Sequence, residues 1–234
     1  MSLSTETSVN TGPSVVVVRI LLADDHALMR RGLRSLLETR QGFEVCGEAG
    51  NGWEAVQKAE QLKPNVAIVD ITMPGLNGLE AARRIRKASS RTEVLIFSMH
   101  YSDQLIRDVL DAGVRGYVIK SDPAQDLLGA VEALANHKPF FTPRATELIL
   151  SNFGHRPGEA AADLQSGLDQ RPTSREREIV QLLAEGKSNK EVATLLNISV
   201  NTAEAHRANI MLKLGFHSLA DLVLYAIRNK IIQP

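Results

Sequence analysis

The chain has one cysteine, few aromatics, no surplus of either charge and no long apolar run, and each absence excludes something. Cys46, alone in the run Phe43-Glu-Val-Cys-Gly, allows no internal disulfide and no thiolate zinc cluster, and it reads as a small buried hydrophobe. No stretch of 18 or more apolar residues exists, so no membrane-spanning helix is predicted. The first fourteen residues are rich in Ser and Thr, carry Glu6 and lack a basic start, unlike a signal peptide. The expectation is a disordered leader over 1–15, a cytoplasmic location and no membrane partner. Lys plus Arg and Asp plus Glu number 27 each, so this is no polycation that coats nucleic acid or a basic membrane-surface protein. What is present, 234 residues of which 44% are hydrophobic, suffices for one or two domains with real cores.

From Val15 to about Asn136, short β-branched runs alternate with helix-period stretches. The runs are Val15–Ala23, Phe43–Gly47, Val66–Asp70, Glu93–Met99 and Gly116–Ile119. Between and after them lie His26–Thr39, Trp53–Leu62, Leu76–Lys87, Asp103–Ala112 and Pro123–Asn136. Five strands alternating with five helices predict a doubly wound α/β domain with a five-stranded parallel sheet. Gly and Pro fall where such a chain turns, as at Gly50, Gly52, Pro64, Pro74-Gly75 and Gly113. From Lys138 to Pro172 the pattern dissolves into a linker, in which only Arg144–Phe153 looks helical. From Thr173 onward the sequence is helical throughout. Thr173-Ser-Arg-Glu176 and Ser188-Asn-Lys-Glu191 match the capping box, and four helices run to about Ala184, Leu196, Leu214 and Asn229.

Polar residues of the first part fall at the strand ends. Asp24-Asp25 ends the first strand, Asp70 the third, Ser98 the fourth and Lys120 the fifth. In an open parallel sheet the carboxyl ends share one edge where ligands bind, so residues spread over about 100 positions converge on one cleft. Three carboxylates at about 4 Å repel by about 4 kcal/mol per pair at an effective dielectric of about 20. A hard divalent cation relieves this, and an oxygen-only site with room for water and phosphate suits Mg²⁺. Asp70 can then act as nucleophile and form an acyl phosphate, with Lys120 supplying positive charge to phosphoryl oxygens and Ser98 a hydroxyl donor. Singly, each residue has an ordinary reading: a helix cap, a turn, a surface lysine. Together at consecutive strand ends they favour phosphoryl chemistry.

Leu21-Leu-Ala-Asp-Asp-His26, Val69-Asp-Ile-Thr-Met-Pro-Gly-Leu-Asn-Gly78 and Gly116-Tyr-Val-Ile-Lys120 resemble the receiver domain of two-component response regulators over residues 19–136. The resemblance implies a flavodoxin-like fold and an Asp70 that accepts phosphate from a sensor histidine kinase. It implies Mg²⁺ held by Asp25, Asp70 and the backbone carbonyl of Thr72, with Asp24 acting mainly through water. It also implies a switch in which Ser98 moves toward the phosphoryl group and Tyr117 rotates into the space it leaves. A plain core role for Tyr117 stays open. Thr72 and His100 sit where such proteins tune phosphate lifetime, and His100 as a solvated loop residue stays open as well.

In the second part, Ser188–Leu196, a tight Asn197-Ile-Ser turn and Val200–Leu214 form a helix-turn-helix pattern, with the motif over about 188–207. The second helix of such a motif lies in the major groove. Its candidate contact residues are Asn201, Thr202, Glu204, Ala205, His206, Arg207 and Asn209, while Ala203, Ile210 and Leu214 suit the packed side. Lys190, Arg207 and Lys213 are candidate phosphate contacts. Thr173-Ser-Arg-Glu-Arg-Glu178, Ala184-Glu-Gly-Lys-Ser-Asn-Lys-Glu191 and His206-Arg-Ala-Asn-Ile-Met-Leu-Lys-Leu-Gly215 resemble the LuxR-type DNA-binding domain over 171–234. Asn201, Ala203 and Ala205 depart from it, standing where Lys, Val and Thr are frequent, which puts the target sequence in question rather than the fold.

A receiver joined through a linker over 137–170 to such a domain is the NarL/FixJ type of response regulator. The expectation is phosphorylation at Asp70, homodimer formation on activation, and binding of two double-stranded DNA half-sites, with RNA polymerase as a further contact. It is no enzyme beyond transient phosphorylation and dephosphorylation of Asp70 itself. A phosphorylation-independent regulator of the same fold is the alternative. An aspartyl-nucleophile phosphatase would carry a second Asp two residues after the nucleophile, where Thr72 stands. The neutral total then resolves into opposites. Residues 1–170 carry 18 basic and 21 acidic side chains, and residues 171–234 carry 9 and 6, as a cation-binding part and a DNA-facing part would.

Overall fold

The computed structural model describes residues 17–99, 102–143, 145–147, 149 and 172–232. The leader over 1–15, His100 and most of the 137–170 linker lie outside them. Of the expected helix Arg144–Phe153, positions 145–147 and 149 are described, and these are helical. Two assemblies follow in chain order. The first contains β1 (Val18–Ala23), α1 (Ala27–Glu38), β2 (Phe43–Ala49), α2 (Gly52–Leu62), β3 (Val66–Val69) and α3 (Gly78–Ala88). It continues with β4 (Glu93–Ser98), α4 (Asp103–Asp111), β5 (Gly116–Ile119), α5 (Ala124–Ala135) and β6 (Phe140–Phe141). The second contains α6 (Ser174–Ala184), α7 (Asn189–Leu195), α8 (Val200–Lys213) and α9 (Leu219–Arg228).

The sheet is parallel throughout, in the order β2-β1-β3-β4-β5-β6. Period-two alternation sorts its side chains into two layers. Leu21, Val69, Ile96, Tyr117 and Ile119 face α2, α3 and α4. Ile20, Leu22, Ile68, Leu95, Phe97 and Val118 face α1 and α5. The order reverses between β1 and β3, which opens the crevice used for ligands in such sheets.

The sheet has six strands where five were expected. The sixth pairs Gly116 with Phe140 and Tyr117 with Phe141. Two residues after a proline are too short to display alternation, yet each Phe packs against a different face of the sheet. β2 also runs two residues past its expected end, across a register shift between Ile20 and Leu21.

The four C-terminal helices stand where expected. Both predicted capping boxes are formed, and a third links Ser218 and Asp221. Ile179, Leu182, Leu183, Val192, Ala203, Ile210, Leu222 and Ala226 form their shared core. Among the described residues, no helix is long and apolar enough to cross a membrane.

Candidate functional site

Register decides what meets at the crevice. Ala23 pairs with Val69, so Asp24 and Asp70 leave their strands side by side, and the Asp70 N–H donates to the Ala23 carbonyl at 2.8 Å. Ser98 pairs with Ile119, and the next residue, Lys120, donates its N–H to the Ser98 carbonyl at 2.8 Å. Lys120 Nζ then lies 2.6 Å from Asp24 Oδ2 and 3.0 Å from Asp70 Oδ2, with all three side chains 3–4% exposed. Asp70 Oδ1 accepts from the Ile71 N–H at 2.8 Å. Asp24 Oδ1 accepts from the His26 N–H at 2.8 Å, and His26 Nδ1 lies 2.8 Å from Asp25 Oδ1.

Burial pushes the Asp70 carboxyl from its ordinary 3.8 up to about 6, against the pull of Lys120 and with a further push from Asp24. Burial works against the Lys120 ammonium, but Asp70 and Asp24 outweigh it and hold its pKa above the ordinary value. The nucleophile candidate is therefore a carboxylate kept in a costly environment beside one fixed positive charge.

Oxygen donors dominate the mouth of the crevice. One ligand atom from each of Asp24, Asp25, His26 and Asp70 lies within 4.8 Å of the others. Three carboxylates, two of them paired with Lys120, suit a hard cation with oxygen ligands. Thr72 is buried on the loop that follows Asp70. Ser98 and Tyr117 are both fully buried, one at the crevice end of β4 and the other on β5. The register thus brings Asp24, Asp25, Asp70, Ser98 and Lys120 to one edge. Gly78 shapes the loop: a Cβ there would sit 1.8 Å from the Asp70 carbonyl oxygen, so α3 can start under the acceptor only with no side chain at this position.

Comparison with known proteins covers most of the chain. Residues 20–132 match the response regulator receiver domain family, and 173–226 match the bacterial regulatory proteins of the luxR family. The oxygen regulatory protein NreC of Staphylococcus carnosus is 35% identical over 216 residues, covering 92% of this chain and 99% of that protein. The transcriptional regulatory protein LiaR of Bacillus subtilis is 34% identical, covering 92% of this chain and all of LiaR. The chain belongs to the LuxR-type response regulators, the NarL/FixJ group. Among solved structures, RcsB of Salmonella enterica serovar Typhimurium bound to promoter rprA in the presence of the phosphomimetic BeF3⁻ aligns with a TM-score of 0.61 and 26% identity. That alignment covers 89% of this chain and 98% of RcsB. The LuxR-family regulator from Aurantimonas sp. SI85-9A1 aligns with a TM-score of 0.57 and 34% identity over 59% of this chain and 99% of that one. This response regulator thus couples a receiver, whose family partner is a histidine kinase, to a DNA-binding domain, and it controls transcription in a phosphorylation-dependent way.

In the DNA-binding domain of this response regulator, α7 and α8 meet at a turn in which Asn197 adopts a left-handed backbone, φ 52°. Ala203 and Ile210 anchor α8 in the core. That orientation leaves Asn201, Thr202, Ala205 and Asn209 at helical spacing on one exposed face, with exposed Glu204 and half-buried Arg207 flanking it. His206 is half-buried. Ser199 caps α8 by accepting from the Thr202 N–H at 3.0 Å, and its Oγ lies 2.7 Å from the Thr202 hydroxyl. Lys190 is exposed on α7, whereas Lys213 turns back to Glu176 of α6 at 3.0 Å.

Sequence reasoning missed Gln181 and Glu185. From α6 and its C-cap, these side chains reach the loop after Asp70. Gln181 Oε1 accepts from the Asn77 N–H at 2.8 Å, while Gln181 Nε2 donates to the Met73 carbonyl at 2.9 Å. Glu185 Oε1 accepts from the Gly75 N–H at 3.0 Å and from Gln181 Nε2 at 2.8 Å. Charged pairs extend the seam, including Arg84 with Glu178 and Arg177 with Asp108. The chain's single tryptophan, Trp53, packs against both the receiver core and the helical core, with the Arg84 guanidinium 4.6 Å from its ring centre.

Proposed function

We propose that Asp70 is the phosphate acceptor of this regulator and that phosphorylation there controls DNA binding through homodimer formation. Convergence of the buried Asp24, Asp70 and Lys120 side chains, with exposed Asp25 beside them, on one strand edge carries this reading. A phosphoryl group moves from a kinase phosphohistidine: its P–N bond breaks as an Asp70 carboxylate oxygen forms the new P–O bond, giving an acyl phosphate. The receiving Asp70 oxygen is ionised before attack, and Lys120 offers its charge to the arriving phosphoryl oxygens. Ser98 supplies a hydroxyl at the same edge, and Tyr117, beneath it, follows its movement. Mg²⁺ held by Asp24, Asp25, Asp70 and the Thr72 carbonyl would offset carboxylate repulsion and neutralise phosphoryl charge. Thr72 and, from its position in the sequence two residues after Ser98, His100 are the candidates for setting how fast water removes the phosphate, and gain and loss of phosphate at Asp70 is the reaction proposed.

The chain divides, in this reading, into a receiver over 19–136, a linker over 137–170 and a DNA-binding domain over 171–234, working in the cytoplasm. Two copies of the exposed α8 face, with Lys190 and Arg207 on phosphates, engage two half-sites about one helical turn apart. RNA polymerase is a further contact. RcsB, held on a promoter with a phosphomimetic, supports the coupling of phosphate to DNA binding. The direct test is labelling with acetyl phosphate and Mg²⁺, read as a mass increase of one phosphoryl group and by gel filtration. Wild type gains the group and shifts to dimer, and Asp70→Asn does neither. Labelling of Asp70→Asn at the wild-type level overturns the assignment.

A further inference from the structure

The peptide that joins the two aspartates of the acidic pair is held by a side chain from α1. Arg30, one turn into that helix, donates from Nη1 to the Asp24 carbonyl at 2.5 Å. Its Nε lies 3.3 Å from Glu48 Oε2 on β2, and Glu48 Oε1 in turn accepts from Arg34 Nε at 2.7 Å. The guanidinium is thus tied to the neighbouring strand while it holds the turn. Asp24 has all its polar groups engaged: its N–H donates to the Ala49 carbonyl, its carbonyl accepts from Arg30, Oδ1 accepts from the His26 N–H and Oδ2 from Lys120. Asp25 differs. Its carboxylate has one ionic partner among the described residues, the exposed His26 ring at 2.8 Å. Because the peptide is planar, a fixed Asp24 carbonyl also fixes the direction of the Asp25 N–H and Cα, and leaves mainly side-chain torsions free. The position of the Asp25 carboxylate therefore depends on how firmly Arg30 holds that peptide.

We infer that Arg30 is a positioning residue for the divalent cation of the Asp70 site, holding the Asp24–Asp25 peptide so that the Asp25 carboxylate stands where the cation binds. The inference rests on the reading that Asp25 and Asp70 hold Mg²⁺. Two effects of the arginine then oppose each other. A positive charge beside a cation site repels the cation, so by charge alone its removal tightens binding. Groups that orient metal ligands raise affinity, so by geometry its removal weakens binding. The sign of the change separates the two accounts, and the inference is that geometry wins.

The test uses the full chain and compares wild type with Arg30→Met, Arg30→Ala, Arg30→Lys and Asp25→Asn. Mn²⁺ binding is read from loss of the free-ion EPR signal, and Mg²⁺ binding from its competition with Mn²⁺. Melting in EDTA reports the fold of each variant, and Arg30→Met keeps most of the apolar stem should Arg30→Ala fail to fold. Arg30→Met is expected to bind Mg²⁺ at least about tenfold more weakly, the lower end of the cost of removing a group that orients a metal ligand. Arg30→Lys, which brings a charge with rotatable donors to the same carbonyl, is expected to stay within about threefold of wild type. A folded Arg30→Met that binds Mg²⁺ as tightly as wild type, or more tightly, overturns the inference. So does an Arg30→Lys as weak as Arg30→Met. Wild type that binds the cation no better than Asp25→Asn defeats the reading of the acidic cluster as a cation site instead, and is recognised as such.

Discussion

Asp70→Asn removes a carboxylate that the fold holds at a cost, so the variant should gain stability while it loses phosphate uptake. The carboxyl rises from 3.8 to about 6 on folding, which corresponds to about 3 kcal/mol against the charged form. A raised acid pKa means that the folded state binds the proton more tightly than the unfolded state. Wild type therefore loses stability as pH rises from about 4 to about 6, and the full penalty is present above that window. Asparagine carries no such penalty. It gives up the Asp70 contact with Lys120, which keeps Asp24 at 2.6 Å, and one imperfect hydrogen bond offsets about 1 kcal/mol. The variant's advantage at pH 7.5 is thus about 2 kcal/mol, and the difference between the proteins changes by up to about 3 kcal/mol across the window. Urea unfolding at pH 4.5, 5.5, 6.5 and 7.5 in EDTA, followed by Trp53 fluorescence, measures it. A difference that is flat with pH, or that grows toward acid, refutes the reasoning.

Lys120→Met leaves Asp24 and Asp70 buried without their shared counter-charge and should cost about 3–5 kcal/mol in EDTA. Millimolar Mg²⁺ should restore part of the loss, read as a rise in melting temperature larger than that of wild type. Gly78→Ala puts a methyl group 1.8 Å from the Asp70 carbonyl oxygen, so α3 must shift. A loss of about 1–3 kcal/mol in urea unfolding, with slower labelling of Asp70, is expected. Lys190→Ala should weaken binding to all DNA sequences alike and reduce the salt slope of log K by about 1, measured by fluorescence anisotropy from 50 to 200 mM salt. An unchanged slope places Lys190 away from the phosphates.

Asp24, Asp70, Ser98 and Lys120 were legible as a group because parallel topology places all strand ends on one edge, whatever the loops between them do. Period-two and period-3.6 patterns found the helices and the five longer strands. β6 escaped because Phe140 and Phe141 are only two residues. The Gln181 grip escaped for a different reason. Its partner Asn77 lies 104 positions away, and a glutamine on a helix looks like a solvated position until another domain covers it. Glu80 and Glu178 mislead similarly: helical spacing gives no sign that either is buried, and only the cationic and hydroxyl partners around them satisfy them there. Local patterns find what one element needs for itself and are silent on what a remote segment brings to it.

The seam between the two halves has a consequence for solubility. Apart from Trp53 and the Ile231–Ile232 end of the chain, it is built largely from Glu80, Arg84, Asp108, Ser174, Arg177, Glu178 and Gln181. When such a surface parts, it presents groups that water accepts readily, instead of a broad greasy patch that would recruit other molecules. Closing it strips water from those same charges, which keeps the closed form only modestly favoured. A seam of this composition can therefore part and reclose while leaving the molecule dispersed.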